Sequence, residues 1–244
     1  MKVSVVTGGS SGIGLAIAKK FSELNYISYS LDLNPPADDK NIHFIKCNVA
    51  DEKEVKEAFA TIEAKSSSVD VLVNNCGFQY LSPIEEFPID KWRQMIDVML
   101  TGTFLCSQSV IPKMKEKEFG RIINISSVHG KLASPFKSAY VAAKHGVQGL
   151  SKVIAKEVGS HGITVNCICP GFVDTPLMRN QVRQQMELNN LSEQEVLEKI
   201  FLKEQDIKKL TSPQQVAQLC EFLSSSAAST ITGEAYSISG GWGA

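Results

Sequence analysis

The sequence predicts a doubly wound α/β fold: a parallel sheet of about seven strands with helices on both faces, forming one domain over residues 1–244. Three observations carry this. Short β-rich runs alternate with longer helical patterns, a glycine-rich turn follows the first run and opens a helix, and 244 residues at 43% hydrophobic composition suffice for a single large core.

The strand runs are Lys2 to Thr7, Ile27 to Asp32, His43 to Asn48, Val69 to Asn74, Arg121 to Ser126, Thr164 to Cys169 and Ala235 to Ser239. The consecutive apolar residues Val71-Leu72-Val73 and Ile122-Ile123 suit strands covered on both faces, which is the condition of a parallel sheet. Helical periodicity fills Gly12 to Leu24, Asp51 to Lys65, Asp90 to Lys117, Ser138 to Ser160 and Pro213 to Ser224, so the crossovers should be helical and right-handed. The connection from Asn34-Pro35-Pro36 to Lys40 is too short and too rich in breakers for a helix and should be a loop. The polar stretch from Leu177 to Leu210, rich in Gln and Glu, keeps a helical period and reads as a mobile lid over the site. Phe87 and Trp92 read as packing residues.

A formal net charge of −1 supplies no basic field for a phosphate backbone, so nucleic acid is not an expected partner. The apolar opening Val3 to Val6 is too short for a signal segment or a membrane span, and a soluble cytoplasmic protein is expected. Six cysteines, Cys47, Cys76, Cys106, Cys167, Cys169 and Cys220, lack Cys-x-x-Cys spacing and read as reduced core thiols. Cys167 and Cys169 share one face of a strand with no second ligand pair, so no metal site is expected.

Two constellations carry chemistry. In Thr7-Gly8-x-x-x-Gly12-x-Gly14, with Ser11 and Ile13 in the turn, absent side chains let backbone N–H groups approach a pyrophosphate at a helix N-terminus. Asp32 lies 18 residues beyond Gly14 at the end of the second strand, where a carboxylate accepts ribose hydroxyls and repels a 2′-phosphate. NAD is therefore expected over NADP. The second constellation is Tyr140-x-x-x-Lys144, with Tyr140 lying 13 residues after Ser127. Lys137, Tyr140 and Lys144 share one helix face, and an ammonium beside a phenol favours the phenolate, so Tyr140 is a candidate general base with Ser127 as hydrogen-bond partner of the reacting oxygen.

Together with Asn74-Asn75-Cys76-Gly77 and Pro170-Gly171-x-Val173-x-Thr175, these motifs resemble the short-chain dehydrogenase/reductase family over nearly the whole chain. The resemblance implies a Rossmann-type fold, an NAD cofactor, and Ser127, Tyr140 and Lys144 as the catalytic set. It places Asn48, Val49, Asn75, Gly77 and Pro170 along the cofactor, with Val173 and Thr175 beside the nicotinamide amide, and it implies a homotetramer paired through the long helices. Asn48 stands where the family usually has Asp. Met99 stands where it usually has an Asn that holds a water in a proton relay. The segments around Gln79, His129, Lys137, Gln181 and the terminal Gly240-Gly241-Trp242 are similar to members that act on (R)-3-hydroxybutyrate, in which residues matching Gln79, His129, Lys137 and Gln181 hold the carboxylate; Phe172 replaces a tryptophan common there. A cation, a switchable ring and two amides suit a small hydroxy acid. Two other readings stay open: a dehydrogenase for a neutral diol, sugar or other oxo-acid, and a non-catalytic NAD-binding regulatory protein.

Overall fold

A computed structural model describes residues 1–36 and 40–243. Seven strands, β1 (Val3–Thr7), β2 (Ile27–Asp32), β3 (Ile42–Lys46), β4 (Val71–Asn74), β5 (Gly120–Ile125), β6 (Ile163–Pro170) and β7 (Ala235–Ile238), form one sheet in the order β3-β2-β1-β4-β5-β6-β7. Every neighbouring pair runs parallel. The helices are α1 (Gly12–Glu23), α2 (Glu52–Ser66), α3 (Ile89–Ile96), α4 (Gly102–Lys117), α5 (Ser138–Val158), α6 (Pro176–Asn189), α7 (Glu193–Val196) and α8 (Pro213–Ser224).

The period of two along each strand divides the core. Val5, Leu72 and Ile122 point to one face and meet Phe59 and Ile62 of α2 and Met114 of α4. Their sequence neighbours Val6, Val73 and Ile123 point to the other, where Ile17 and Phe21 of α1 and Leu223 of α8 cover them. Local chemistry sets the helix starts. The Asp51 carboxylate accepts from the Lys53 and Glu54 amides to cap α2, Thr175 accepts from Met178 with Pro176 at the first position of α6, and Ser212 forms a capping box with Gln215 at α8.

Two expectations change, and a third gains detail. The long helix expected over Asp90 to Lys117 is interrupted by a π turn, Asp97–Thr101, which contains Met99. Its apolar side, through Leu105, Cys106, Val110 and Met114, packs on the sheet. Several strand and helix ends fall one or two residues inside the predicted limits, where terminal residues leave the ladder for turns, and β3, β5 and β6 each begin one residue earlier than expected. The polar stretch over 177–210 is two helices and a second π turn, Leu197–Phe201, folded on a small apolar cluster of Met178, Val182 and Val196. No helix occupies the described part of the β2–β3 connection; positions 37–39 of the expected loop lie outside the described residues.

The strand order reverses between β1 and β4, since β1 leads outward to β2 and β3 while β4 begins the opposite half. In such sheets a crevice opens at the carboxyl ends of the strands beside that switch point. The candidate site lies there.

Candidate active site

A cavity of about 890 Å³ runs across these strand ends from Asp32 to Trp242. At its β2 end, Gly8 and Gly12 adopt left-handed φ values of 64° and 51° that disfavour any side chain. A Cβ on Gly14 would strike the Gly8 carbonyl oxygen, so the turn presses directly on the start of α1. Ser11, the N-cap of α1, makes no side-chain bond to the helix, which leaves the first-turn amides open to an anion. Asn75 fastens this turn to the sheet: its side-chain amide donates to the Thr7 and Gly8 carbonyls at 3.1 and 3.2 Å.

The Asp32 carboxylate is fixed by backbone donors, Ser10 N–H at 3.1 Å on Oδ2 and Leu33 N–H at 2.7 Å on Oδ1, and it faces the cavity. Asn48 Oδ1 accepts from Ala50 N–H at 3.1 Å, so one of its acceptor positions is already used in its own turn. Ile13, Val49, Gly77, Pro170, Val173 and Thr175 also line the cavity; of the expected site residues Gly14 alone does not line it. An open helix N-terminus, a glycine turn without room for a Cβ and a pinned ribose-side carboxylate together fit a dinucleotide.

At the other end Ser127 follows β5, and α5 presents Tyr140 and Lys144. Lys144 is 4% exposed; its ammonium donates to the Ile125 carbonyl at 2.7 Å and sits 5.7 Å from the centre of the Tyr140 ring. Burial pulls its pKa from 10.5 to about 8, against a smaller upward pull from Cys167, Cys169 and Cys76. For Tyr140, surrounding protein pushes the phenol above its ordinary value and a hydrogen bond from Ser127 draws it down. Met99 packs beside them with Met95, Ala139, Ala143 and the Tyr140 ring, and its carbonyl accepts from Thr103 Oγ1 at 2.7 Å.

Beside this catalytic end stands a polar and aromatic wall. His129 is 4% exposed; its Nε2 lies 2.9 Å from Ser134 Oγ and 3.4 Å from Lys137 Nζ, and its Nδ1 lies 3.5 Å from Ser127 Oγ. Burial, followed by the Lys137 charge, lowers its pKa to about 4, so the ring expected to switch is held neutral across the physiological range. Lys137 is also pulled below its ordinary value by burial. Gln79 and Gln181 line the same space. Trp242 returns from the C-terminal tail, stacks on Phe172 at 5.3 Å and meets the His129 ring edge-on at 5.1 Å.

Sequence reasoning missed Ser134 and a polar face of α3 and its π turn, Asp90, Arg93, Gln94 and Asp97, which lines the cavity at spacings of three, four and seven residues. That spacing was visible as a helical stripe, but a stripe does not say what it faces.

Comparison with known proteins agrees with this geometry. The short chain dehydrogenase family model matches residues 2–186. A D-beta-hydroxybutyrate dehydrogenase from Rhizobium meliloti is 40% identical over 99% of this chain and 98% of its own length. A 3-oxoacyl-[acyl-carrier-protein] reductase from Synechocystis is 34% identical over 98% of this chain and 96% of its own. The solved structure of an aldohexose dehydrogenase from Thermoplasma acidophilum superposes with a TM-score of 0.92 at 34% identity, covering 99% of this chain and 93% of that one. A seven-stranded parallel sheet, a glycine turn opening α1 and a full-length match at these identities lead to one conclusion: the chain belongs to the short-chain dehydrogenase family, whose oxidoreductases work with a nicotinamide cofactor.

Proposed function

We propose that the protein is an NAD-dependent dehydrogenase that interconverts (R)-3-hydroxybutyrate and acetoacetate. The observation that carries this reading is one cavity lined by Ser127, Tyr140 and Lys144 together with a half-buried cation, Lys137, and the amides of Gln79 and Gln181. Partial burial lowers the Lys137 pKa and so disfavours its charge, and a substrate carboxylate would offset that cost. The relative from Rhizobium meliloti, named for D-beta-hydroxybutyrate, supports the same substrate.

Gly8, Ser11, Gly12, Ile13 and Gly14 would hold the pyrophosphate, Asp32 the adenosine ribose, and Asn48, Val49, Asn75, Gly77, Pro170, Val173 and Thr175 the remaining length. When bound, the nicotinamide supplies the hydride acceptor at the substrate carbon. Lys137, Gln79 and Gln181 bind the carboxylate, with His129 behind Lys137. Ser127 donates a hydrogen bond to the substrate oxygen, and Tyr140 takes the hydroxyl proton as the carbon loses hydride. In reduction Tyr140 returns that proton. Lys144, 5.7 Å from the ring centre, favours the phenolate by about 3 kcal/mol at an effective dielectric of about 20. Residues 177–210 act as a lid, held near the mouth by Arg179, which pairs with Asp174 and Glu193. Exposed Phe104 on α4 and Val153 on α5 suit pairing of these helices in a homotetramer, and the cytoplasm is the expected place of action.

The decisive experiment follows NADH formation with (R)- and (S)-3-hydroxybutyrate, acetoin, sorbitol and glucose, using NAD and NADP. Preference for the R acid with NAD is expected. Turnover confined to the neutral alcohols would overturn the substrate. Tyr140→Phe should abolish turnover while NADH still binds; near-normal turnover would remove Tyr140 from the mechanism.

A further inference from the structure

The contacts of His129 assign more than a place beside the carboxylate. A lysine ammonium only donates, so with Lys137 Nζ 3.4 Å from His129 Nε2, that nitrogen must be the acceptor. Ser134 Oγ, 2.9 Å from the same nitrogen, is then also a donor. A neutral imidazole carries one ring proton, which is left on Nδ1, facing Ser127 Oγ at 3.5 Å. The His129 backbone N–H donates to the same Ser127 oxygen at 3.1 Å. A hydroxyl has two acceptor lone pairs and one proton. With both lone pairs facing His129 donors, the Ser127 proton has one direction left, outward to Tyr140, whose phenol feels that hydrogen bond.

We infer that His129 is a positioning residue: Lys137 and Ser134 hold it in the Nδ1-protonated form, and that form turns the Ser127 hydroxyl toward Tyr140 and the reacting oxygen. This rests on the proposed roles of Ser127 and Tyr140, not on the identity of the acid. Its consequence is a physical link between the two halves of the site. The lysine proposed to hold the carboxylate also selects the histidine tautomer that aims the hydroxyl. The ring is suited to this because it is buried, edge-on to Trp242 at 5.1 Å and to Tyr140 at 6.0 Å, and so has little room to flip. The low pKa of His129 agrees, since a ring that stays neutral keeps an acceptor nitrogen for Lys137.

The test is steady-state kinetics of the intact enzyme, with NADH affinity measured in parallel to establish that each variant folds. His129→Leu removes both ring nitrogens; kcat should fall on the order of tenfold to a hundredfold, as misplacement of a reacting group does, with a smaller change in KM. His129→Asn keeps an amide donor near the Nδ1 position and should restore most of kcat while KM for a hydroxy acid rises. Ser134→Ala should lower kcat several-fold at unchanged KM. If His129→Leu raises KM alone, or if Asn is as slow as Leu, His129 is only a carboxylate contact and the inference fails. The kcat effect is read on whichever alcohol the wild type oxidises, so a wrong substrate assignment would be seen in the wild type and would leave this result separate.

Discussion

Replacing Lys144 with Met should stabilise the fold while destroying turnover. Burial holds the ammonium at a pKa of about 8 against an ordinary 10.5. At 1.36 kcal/mol per unit, that difference corresponds to about 3 kcal/mol of stability forgone to keep the charge inside. The sign follows from proton counts. Between about pH 8 and 10.5 the unfolded chain keeps a proton that the folded chain has released, so wild-type stability rises with pH across that window. Below about pH 8 both states are protonated and the whole cost is present. Met is unbranched and of similar length, and its thioether tolerates a buried site without a hydrogen-bond partner. It leaves the Ile125 carbonyl without its donor, which costs about 1 kcal/mol. The net expectation is a gain of about 2 kcal/mol at pH 7, or about 4–8 °C in Tm for a chain of this size. Urea unfolding of both proteins from about pH 7 to 10 measures it, and the gain should shrink as the pH rises. A variant less stable than wild type at pH 7, or a difference flat across that range, would refute the reasoning.

Other expectations are direct. Asp32→Ala removes a carboxylate aimed into the cavity and should weaken NAD on the order of tenfold while relaxing discrimination against NADP, read by titration with both cofactors. Gly14→Ala drives a methyl into the Gly8 carbonyl and should abolish cofactor binding before it unfolds the chain, a sequence visible in NADH fluorescence and circular dichroism. Lys137→Ala should raise KM for a hydroxy acid at least tenfold and leave that of a neutral alcohol nearly unchanged. Because His129 is held near a pKa of about 4, KM for the acid should show no histidine inflection between about pH 5.5 and 7.5.

The fold was legible because its determinants are local. Val5 and Val6, Leu72 and Val73, and Ile122 and Ile123 are apolar in pairs, and a pair of adjacent apolar residues in a strand requires cover on two faces. The glycine turn and Asp32 were legible for the same reason, since strand, turn and helix lie within one short stretch. The π turn was not. Asp97 to Thr101 contains neither Gly nor Pro, and its apolar residues continue the helical period, so the extra residue in the turn leaves no mark in the sequence. The return of Trp242 was legible only as a resemblance. Its position depends on the Asp206 and Ile207 amides donating to the Gly240 carbonyl at 2.8 and 2.9 Å, a closure between segments more than thirty residues apart. The neutrality of His129 also needed three dimensions, because Trp242 of the C-terminal tail and the start of α5, with Lys137 and Tyr140, close on it together.

The Tyr140 and Lys144 pair shows most clearly what spacing can and cannot convey. A separation of four puts both on one face of α5, but it says nothing about which effect on the phenol dominates. In the protein itself burial is the larger effect and acts upward, Ser127 acts downward, and the lysine ammonium is engaged with the Ile125 carbonyl rather than with the phenol. On the proposed mechanism the free enzyme therefore holds a poor base. On that mechanism the missing stabilisation would come from the through-space field of Lys144 combined with the positive charge of an oxidised nicotinamide, both acting in a cavity from which bound substrate would exclude water. Proton abstraction is then coupled to cofactor occupancy by electrostatics alone. A substrate entering first would meet a neutral phenol, and the productive order is cofactor before acid.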